Sequence, residues 1–378
     1  MTHGLIPTPP LTLQATPLPI LGAARIYVCG VTPYDVTHLG HAATFVWVDA
    51  LTRVLRHTGV ETHVVRNVTD VDDVLTDAAR GSGFASDAFA AMQQYQFDHD
   101  MSALRVRRPD HEPRAHAYIP HVITLAQTLV DHSTAYVRNG TVYFRGAEVA
   151  ARHGLGTDEA LRLSGEFGER GDDPDKDDPL DVPVWRASHD DEPAWPSPWG
   201  QGRPGWHSEC AAMALALLGA SLDIHAGGAE LAFPHHGFEA AQAEAATGVQ
   251  PFARAWLRVG NVCLAGQKMA KSTGNLVLVS DLLAEHSAAV IRLMLLDRPW
   301  AQPWDYTPGE LDRARRRLDD LYRAAADAAT TPAADGWEAE HNVVRLLLDD
   351  LDVPRAVDHA LAVGGRAARA LVQVLALD

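Results

Sequence analysis

A disulfide framework is the first thing this chain excludes. Its 378 residues hold three cysteines, Cys29, Cys210 and Cys263. They are widely separated and odd in number, which points to a reducing compartment, the cytoplasm. Long apolar runs are missing as well, and none reaches the length a helix needs to cross a bilayer. The opening residues, MTHGLIPTPPLTLQATPLPILG, carry prolines in place of a basic flank and an apolar core, so no secretory leader is expected. Positive charge is scarce: 32 Lys and Arg against 49 Asp and Glu give a net charge of −17. A protein whose main partner is a polyanion carries a basic face that lifts this balance, so no nucleic-acid partner is expected. The runs Arg105–Arg108 and Arg313–Arg317 are candidate basic patches and equally well ordinary solvated faces. Internal repeats and low-complexity segments are absent. What remains is a globular chain long enough for two domains, or for one large catalytic domain with an appendage.

The chain is organised around the stretch from Arg25 to Asp73. Ile26, Tyr27 and Val28 form an apolar, β-branched run that reads as a buried strand ending on Cys29 and Gly30. A turn-rich passage follows, then His38-Leu39-Gly40-His41 immediately before an apolar-periodic helix from Ala42 to Leu55. Gly59 stands where a helix C-terminus wants it, and a second strand runs from Thr62 to Asn67. Strand, loop, helix and strand in that order build a parallel nucleotide-binding sheet. The N–H groups and positive dipole end at the helix start suit a phosphate. Gly40 lets a ligand approach the backbone, and the histidines can donate to oxygens that gain charge in nucleotidyl transfer. Alone, four such residues are an ordinary turn.

Residues 1–24 read as an extended leader, since proline blocks helix. Beyond the opening unit, Ser86–Leu104 and His116–His132 are predicted helices and Thr141–Arg145 a short strand, as an inserted subdomain of about 85–205. Residues 165–206, rich in Gly, Pro, Asp and Trp, read as a long functional loop, with Trp185, Trp195 and Trp199 as its anchors. The alternation then resumes: helix Glu209–Leu218, strand Leu222–His225, the glycine loop 227–230, and a helix opened by Pro234. Strand Trp256–Leu264, a Lys-rich loop at 267–272, helix Ser280–Leu296 and helix Thr307–Ala328 follow. A TTPAADG linker leads to a mostly helical end. The boundaries expected are 25–300 for an α/β catalytic domain and 301–378 for a C-terminal helical bundle.

Two constellations carry chemistry. His235 and Glu239, four apart, share one helix face; with Cys29 at a strand end and Cys210 they would make a soft-ligand zinc site if the sheet gathers them. Singly, each cysteine is an ordinary buried small residue, as Cys263 is taken to be. The second is Lys268-Met269-Ala270-Lys271-Ser272, two lysines able to close over a polyphosphate as pyrophosphate leaves.

HLGH near the start and KMAKS far downstream, with a sheet pattern between, resemble the class I aminoacyl-tRNA synthetases. YVCGVTPYD, RNVTDVDD, GRPGWHSEC, FPHH and KMAKSTGN are similar to the motifs of the cysteinyl branch. HLGHAAT, ERGDDP, WPSPWGQGRPGWHSECAA, KSTGNLVLVS and LDDLDVPRA resemble most the mycothiol-pathway ligases that join cysteine to glucosaminyl-inositol. The resemblance covers roughly residues 25–325 and continues into the tail. It implies a Rossmann-like class I synthetase domain and a monomeric, AMP-forming cysteine ligase using ATP with Mg2+ and one Zn2+. Its partners would be L-cysteine, ATP and glucosaminyl-inositol, with no membrane.

By position, the resemblance implies that Cys29, Cys210 and His235 hold the zinc. Glu239 matches a fourth ligand of cysteinyl-tRNA synthetases and would ligate directly or support from behind. It further implies that Thr32, Thr69 and Trp206 line a cysteine pocket, and that Thr44, Asn67, Gly228, Glu230 and Val262 hold the adenylate. The adjoining Gly30, Val31, Val68 and Ala229 fall in the same motifs. His38, His41, Lys268 and Lys271 would stabilise the phosphorus transition state. The sequence departs from the family at AGGAE for GGGSD, KMAKS for KMSKS and HHG for HHE. Few residues follow the Lys-loop helices, and they carry no basic cluster, which favours a small amine acceptor over an anticodon; a tRNA-loading paralogue is the alternative.

Overall fold

Leu11, Leu13 and Leu18 face inward because the chain ahead of the main sheet folds as a hairpin, β1 (Leu11–Leu13) against β2 (Thr16–Leu18). The computed structural model describes residues 9–31, 37–71, 86–189, 192–269, 274–326 and 333–378. In chain order the opening unit is β3 (Ala24–Val31), α1 (Leu39–His57) and β4 (Thr62–Val68). Helix α2 (Ser86–Ala103), a 3-10 turn (Ala115–Tyr118) and α3 (Ile119–Asp131) come next, then β5 (Ala135–Arg138), β6 (Thr141–Phe144), α4 (Ala147–Arg152) and α5 (Thr157–Glu166). Strands β7 (Val182–Ala187), β8 (Trp195–Ser197) and β9 (Gly200–Pro204) lead to α6 (Trp206–Leu218) and β10 (Leu222–Gly228). A 3-10 turn (Ala229–Ala232), α7 (His235–Thr247) and β11 (Ala253–Val259) follow, with β12 (Val262–Leu264) and β13 (Gln267–Lys268). The chain closes through α8 (Val279–Glu285), α9 (Ala288–Leu296), β14 (Trp304–Asp305), α10 (Pro308–Ala326), α11 (Ala333–Leu348), α12 (Val353–Val363) and α13 (Gly365–Val374).

The central sheet runs β11-β10-β3-β4 with every pairing parallel. Its central strand β3 buries Ile26, Tyr27 and Val28 on both faces, as a parallel strand covered by helices must. On one face α1 buries Leu39, Val46, Trp47, Leu51 and Val54 in a core shared with α9 to α13 and the N-terminal hairpin. On the other, Tyr27, Val65, Leu222 and Phe252 pack beneath α6 and α7, which contribute Met213 and Ala243. A second layer has its own core, in which α3 covers the antiparallel sheet β5-β6-β7-β9-β8 through Val122, Leu129, Val142, Val184 and Trp185.

Three segments differ from their expected form. The 165–206 stretch is partly strand: Val182, Val184 and Trp185 are buried, and Pro183, Pro196 and Pro204 sit within short strands, masking the alternation. The predicted helix Ser280–Leu296 is two helices, because Ser287 stops the first and its hydroxyl accepts from Val290 N at 3.4 Å to start α9. Trp256–Leu264 divides at Gly260, where a Cβ would lie 2.3 Å from Gln302 O; β12 then joins a separate three-stranded sheet.

One ion pair ties the helices on the α1 side of the sheet. Asp49 on α1 and Arg292 on α9 are 1% and 0% exposed and meet at 2.7 Å. Arg292 also donates to Leu104 O and Leu375 O, and Asp49 accepts from Arg53 and from Arg107 N. Removing one partner of such a pair strands a buried charge, at about 3–5 kcal/mol. Asp49→Asn is therefore expected to lower unfolding free energy by about 3–5 kcal/mol, measured by urea titration; a change under about 1 kcal/mol would mean that water reaches the guanidinium.

Candidate active site

Cys29 comes from the C-terminal end of β3 and Cys210 from the second turn of α6, while His235 and Glu239 lie one turn apart on α7. The parallel pairing of β3 with β10, in register Ile26↔Ile224 and Val28↔Ala226, brings the helices of the second half over the end of the first strand. One donor atom from each of the four residues then lies within 4.8 Å of the others, all buried. Cys29 Sγ and His235 Nε2 are each 3.9 Å from Glu239 Oε2. Burial first, and then Cys210 and Glu239 beside it, push the Cys29 thiol well up. Burial likewise holds His235 well down, with His207 and His225 adding, so its imidazole is neutral and its lone pair is free. Two sulfurs, a neutral imidazole and a carboxylate are a set that can hold a metal ion, and binding one would expel the thiol protons.

A further layer, not singled out from the sequence, fixes these donors. His225 Nε2 donates to Glu239 Oε1 at 2.9 Å inside a fully buried pair. The Nδ1 atoms of His207 and His235 face one another at 3.0 Å, close enough for one to donate to the other. The Trp206 indole stacks on the His235 ring at 4.0 Å and 22°, with Phe167 stacked behind it at 5.5 Å. The signal for His225 was its place two residues before Gly227 on a strand, and for His207 its place beside Trp206.

The cluster floors a cavity of about 180 Å³. Of the residues singled out from the sequence, Cys29, Gly30, His41, Thr44, Asn67, Thr69, Trp206, Cys210, Gly228, Glu230 and His235 line it, joined by Phe45 and Leu231. Gly30 is required there: a Cβ would lie 1.7 Å from Asn67 O, and its N–H donates to Asn67 Oδ1 at 2.8 Å. Glu239 stands behind the wall, and Val68 and Ala229 adjoin lining residues without lining it. Val262 lies in the small sheet, where it pairs with Trp304. Thr32 and Lys271 lie outside the described residues, as does the Val31 side chain.

At the other end of the cavity α1 begins. His38 is its N-cap, accepting from Gly40 N at 3.1 Å, and its ring stacks on His41 at 3.9 Å. Gly40 is small for this reason, since a Cβ would lie 2.9 Å from the His38 ring. His41 keeps partial exposure toward the cavity, but its Nδ1 is shut away with no hydrogen-bond partner among the described residues. Burial, with the charges of His38 and Lys268 adding, pushes its pKa down to about 3. Lys268, on β13, reaches Glu230 at 3.8 Å. Cys263 is half-buried on β12, outside the metal-ligand cluster, its thiol raised mainly by burial.

The arrangement matches known proteins. The profile of the class I (C) tRNA synthetase catalytic domain fits residues 20–316. A relative from Acidothermus cellulolyticus, named L-cysteine:1D-myo-inositol 2-amino-2-deoxy-alpha-D-glucopyranoside ligase, is 46% identical over 88% of this chain and 83% of its own. One of the same name from Rhodococcus erythropolis is 43% identical over 96% and 90%. Among solved structures, methionyl-tRNA synthetase from Mycobacterium tuberculosis in complex with methionyl-adenylate superposes with a TM-score of 0.63 at 16% identity, over 94% of this chain and 82% of that one. Among the described residues no helix is long and apolar enough to cross a membrane. With its parallel sheet, its histidine pair at the first helix and a profile match over most of its length, the chain belongs to the class I (C) tRNA synthetase family and, within it, to the group of L-cysteine:glucosaminyl-inositol ligases.

Proposed function

We propose that this protein activates L-cysteine with ATP and transfers it to the amine of glucosaminyl-inositol, releasing pyrophosphate and then AMP. The observation that carries the reading is the buried Cys29–Cys210–His235–Glu239 set at the floor of a cavity whose far end is the His38–His41 helix start. Zinc is the ion these donors suit, and when bound it supplies selectivity for a thiolate over a hydroxyl. Discrimination against serine then needs no editing step. Magnesium would accompany ATP, and the setting proposed is a cytoplasmic monomer.

The chain's own residues do the rest. Thr69 and Trp206 bound the amino-acid end of the cavity, and Trp206 also fixes the His235 ring from one face. Thr44, Asn67, Gly228 and Glu230 bound the nucleotide end. As the cysteine carboxylate attacks the α-phosphorus, a P–O bond forms and the bond to pyrophosphate breaks. His38 and His41 stand beside the developing charge as N–H donors, and Lys268 with Lys271 balances the charge that leaves. His41 does this as a neutral imidazole, which still has one N–H to give.

The deciding experiment supplies ATP, cysteine and either glucosaminyl-inositol or tRNA, and weighs the products. A cysteinyl sugar amide is expected; cysteinyl-tRNA without sugar amide would reverse the choice of acceptor. Cys210→Ser is expected to release zinc, read by metal analysis, and to erase the preference for cysteine over serine in ATP–pyrophosphate exchange. Unchanged metal content would remove Cys210 from the ligand set. The pH dependence has a definite sign. His41 falls from an ordinary 6.5 to about 3 on folding, so between those values the unfolded chain binds the extra proton. Stability from this group is complete above pH 6.5 and drains away as pH falls toward 3. Chemical unfolding at pH 7 and pH 5 should show a smaller acid loss in His41→Asn than in the parent; equal losses would place the acid sensitivity elsewhere.

A further inference from the structure

Beside the cavity stands a carboxylate–imidazole pair that the mechanism above leaves unused. Asp70 follows the last residue of the β4 edge to line the cavity, Thr69, and His116 follows Ala115, which is buried in the cluster that holds Cys29 and Cys210. Backbone bonds hold the two segments together, Val68 N donating to Pro113 O at 2.9 Å. Asp70 Oδ1 accepts from His116 N at 3.1 Å, which caps the 3-10 turn. Capping needs one oxygen and accepts any side chain at position 116. The second oxygen, Oδ2, takes the ring: His116 Nδ1 donates to it at 2.6 Å.

This fixes the chemistry of the ring. A carboxylate only accepts, so Nδ1 carries the hydrogen, and in the neutral ring the lone pair is on Nε2. The Asp70 side chain is 7% exposed and the His116 side chain 54%, so an anchored base presents itself to solvent on the segment next to Thr69. Arg114 flanks the pair, its Nη1 3.6 Å from Asp70 Oδ2 and its Nη2 bonded to Gln94 Oε1 at 2.5 Å. Of the helices packed on the turn, α6 carries His207, Glu209 and Cys210, all buried, and α3 carries His121, whose ring lies 5.1 Å from that of Tyr118. Asp70 is the carboxylate that His116 bonds among the described residues.

Ligation needs such a group. An amine acceptor arrives largely as its ammonium, which has no lone pair with which to attack an acyl-adenylate. We propose that His116 is the base that takes this proton and that Asp70 is its positioning residue, an assignment that rests on the ligase reading above. The ammonium gives one proton to His116 Nε2, and the freed lone pair attacks the cysteinyl carbonyl. The C–N bond forms and the C–O bond to phosphate breaks, AMP leaving with that electron pair. The surplus proton on nitrogen passes to a phosphate oxygen of AMP, so atoms and charge balance.

The test separates the two half-reactions. Cysteinyl-adenylate is formed on the full-length enzyme from ATP and cysteine with pyrophosphatase, then mixed with glucosaminyl-inositol, and AMP release is followed in a single turnover. His116→Asn keeps an N–H for Asp70 but has no basic nitrogen; His116→Ala is run with and without added imidazole. The expected result is a fall of about 100-fold or more in the transfer rate at pH 7. The deficit should narrow as pH rises and free amine accumulates, and imidazole should restore part of the rate to His116→Ala. ATP–pyrophosphate exchange, which involves no acceptor, is the control. A transfer rate near the parent's would overturn the assignment. So would a deficit equal at every pH, or exchange and transfer falling together, since each makes the turn structural. Failure of the ligase reading looks different: the parent itself would exchange pyrophosphate yet form no sugar amide.

Discussion

The parallel hydrogen bonding of β3 to β10 is the constraint on which the site depends. Residues 26–28 and 224–226 are far apart in the chain, and their register decides where everything after them lies. A one-residue slip would turn each strand's side chains to the opposite face. It would carry His225 away from Glu239 and lift Cys29 off the floor of the cavity. The donor cluster is therefore a product of sheet pairing, and its affinity for an ion feeds back on the stability of that pairing.

The two ends of the cavity are built on opposite electrostatic principles. At the floor, the neutral His235 imidazole offers a lone pair and the Cys29 thiol, raised by burial, waits for a cation to draw its proton off. At the mouth of α1, the neutral His41 imidazole and a helix N-terminus wait for an anion. With a neutral imidazole at each end, His235 and His41, the protein avoids burying an unpaired positive charge on either ring. The substrates bring the charges for which the walls were shaped.

Much of this was legible before any coordinates. The β-branched run at 26–28, the glycine after α1 and the spacing of His235 and Glu239 report directly on local geometry, and the unit they define is the one observed. Where the outcome depended on contacts remote in sequence, the signal faded. Nothing near His225 announces that its ring will hold Glu239, and Pro183 and Pro204 hide strands that neighbours stabilise. The helix break at Ser287 illustrates a smaller limit, since apolar periodicity continues across it and only the capping hydroxyl marks the joint.

The start of α1 is stapled to the chain just beyond the lysine motif. Leu39 N donates to Val277 O at 2.8 Å and Val279 N to Thr37 O at 3.1 Å, with His38 and Leu278 forming an antiparallel bridge. Lys268 is anchored on the other side, paired with Cys263. The sequence has eight residues between these two posts, 269–276, one post being the histidine turn itself, and that number works as a ruler. Lengthening or shortening that span would displace the lysines relative to the histidines even with every motif residue intact, so its length is as much a part of the signature as its letters.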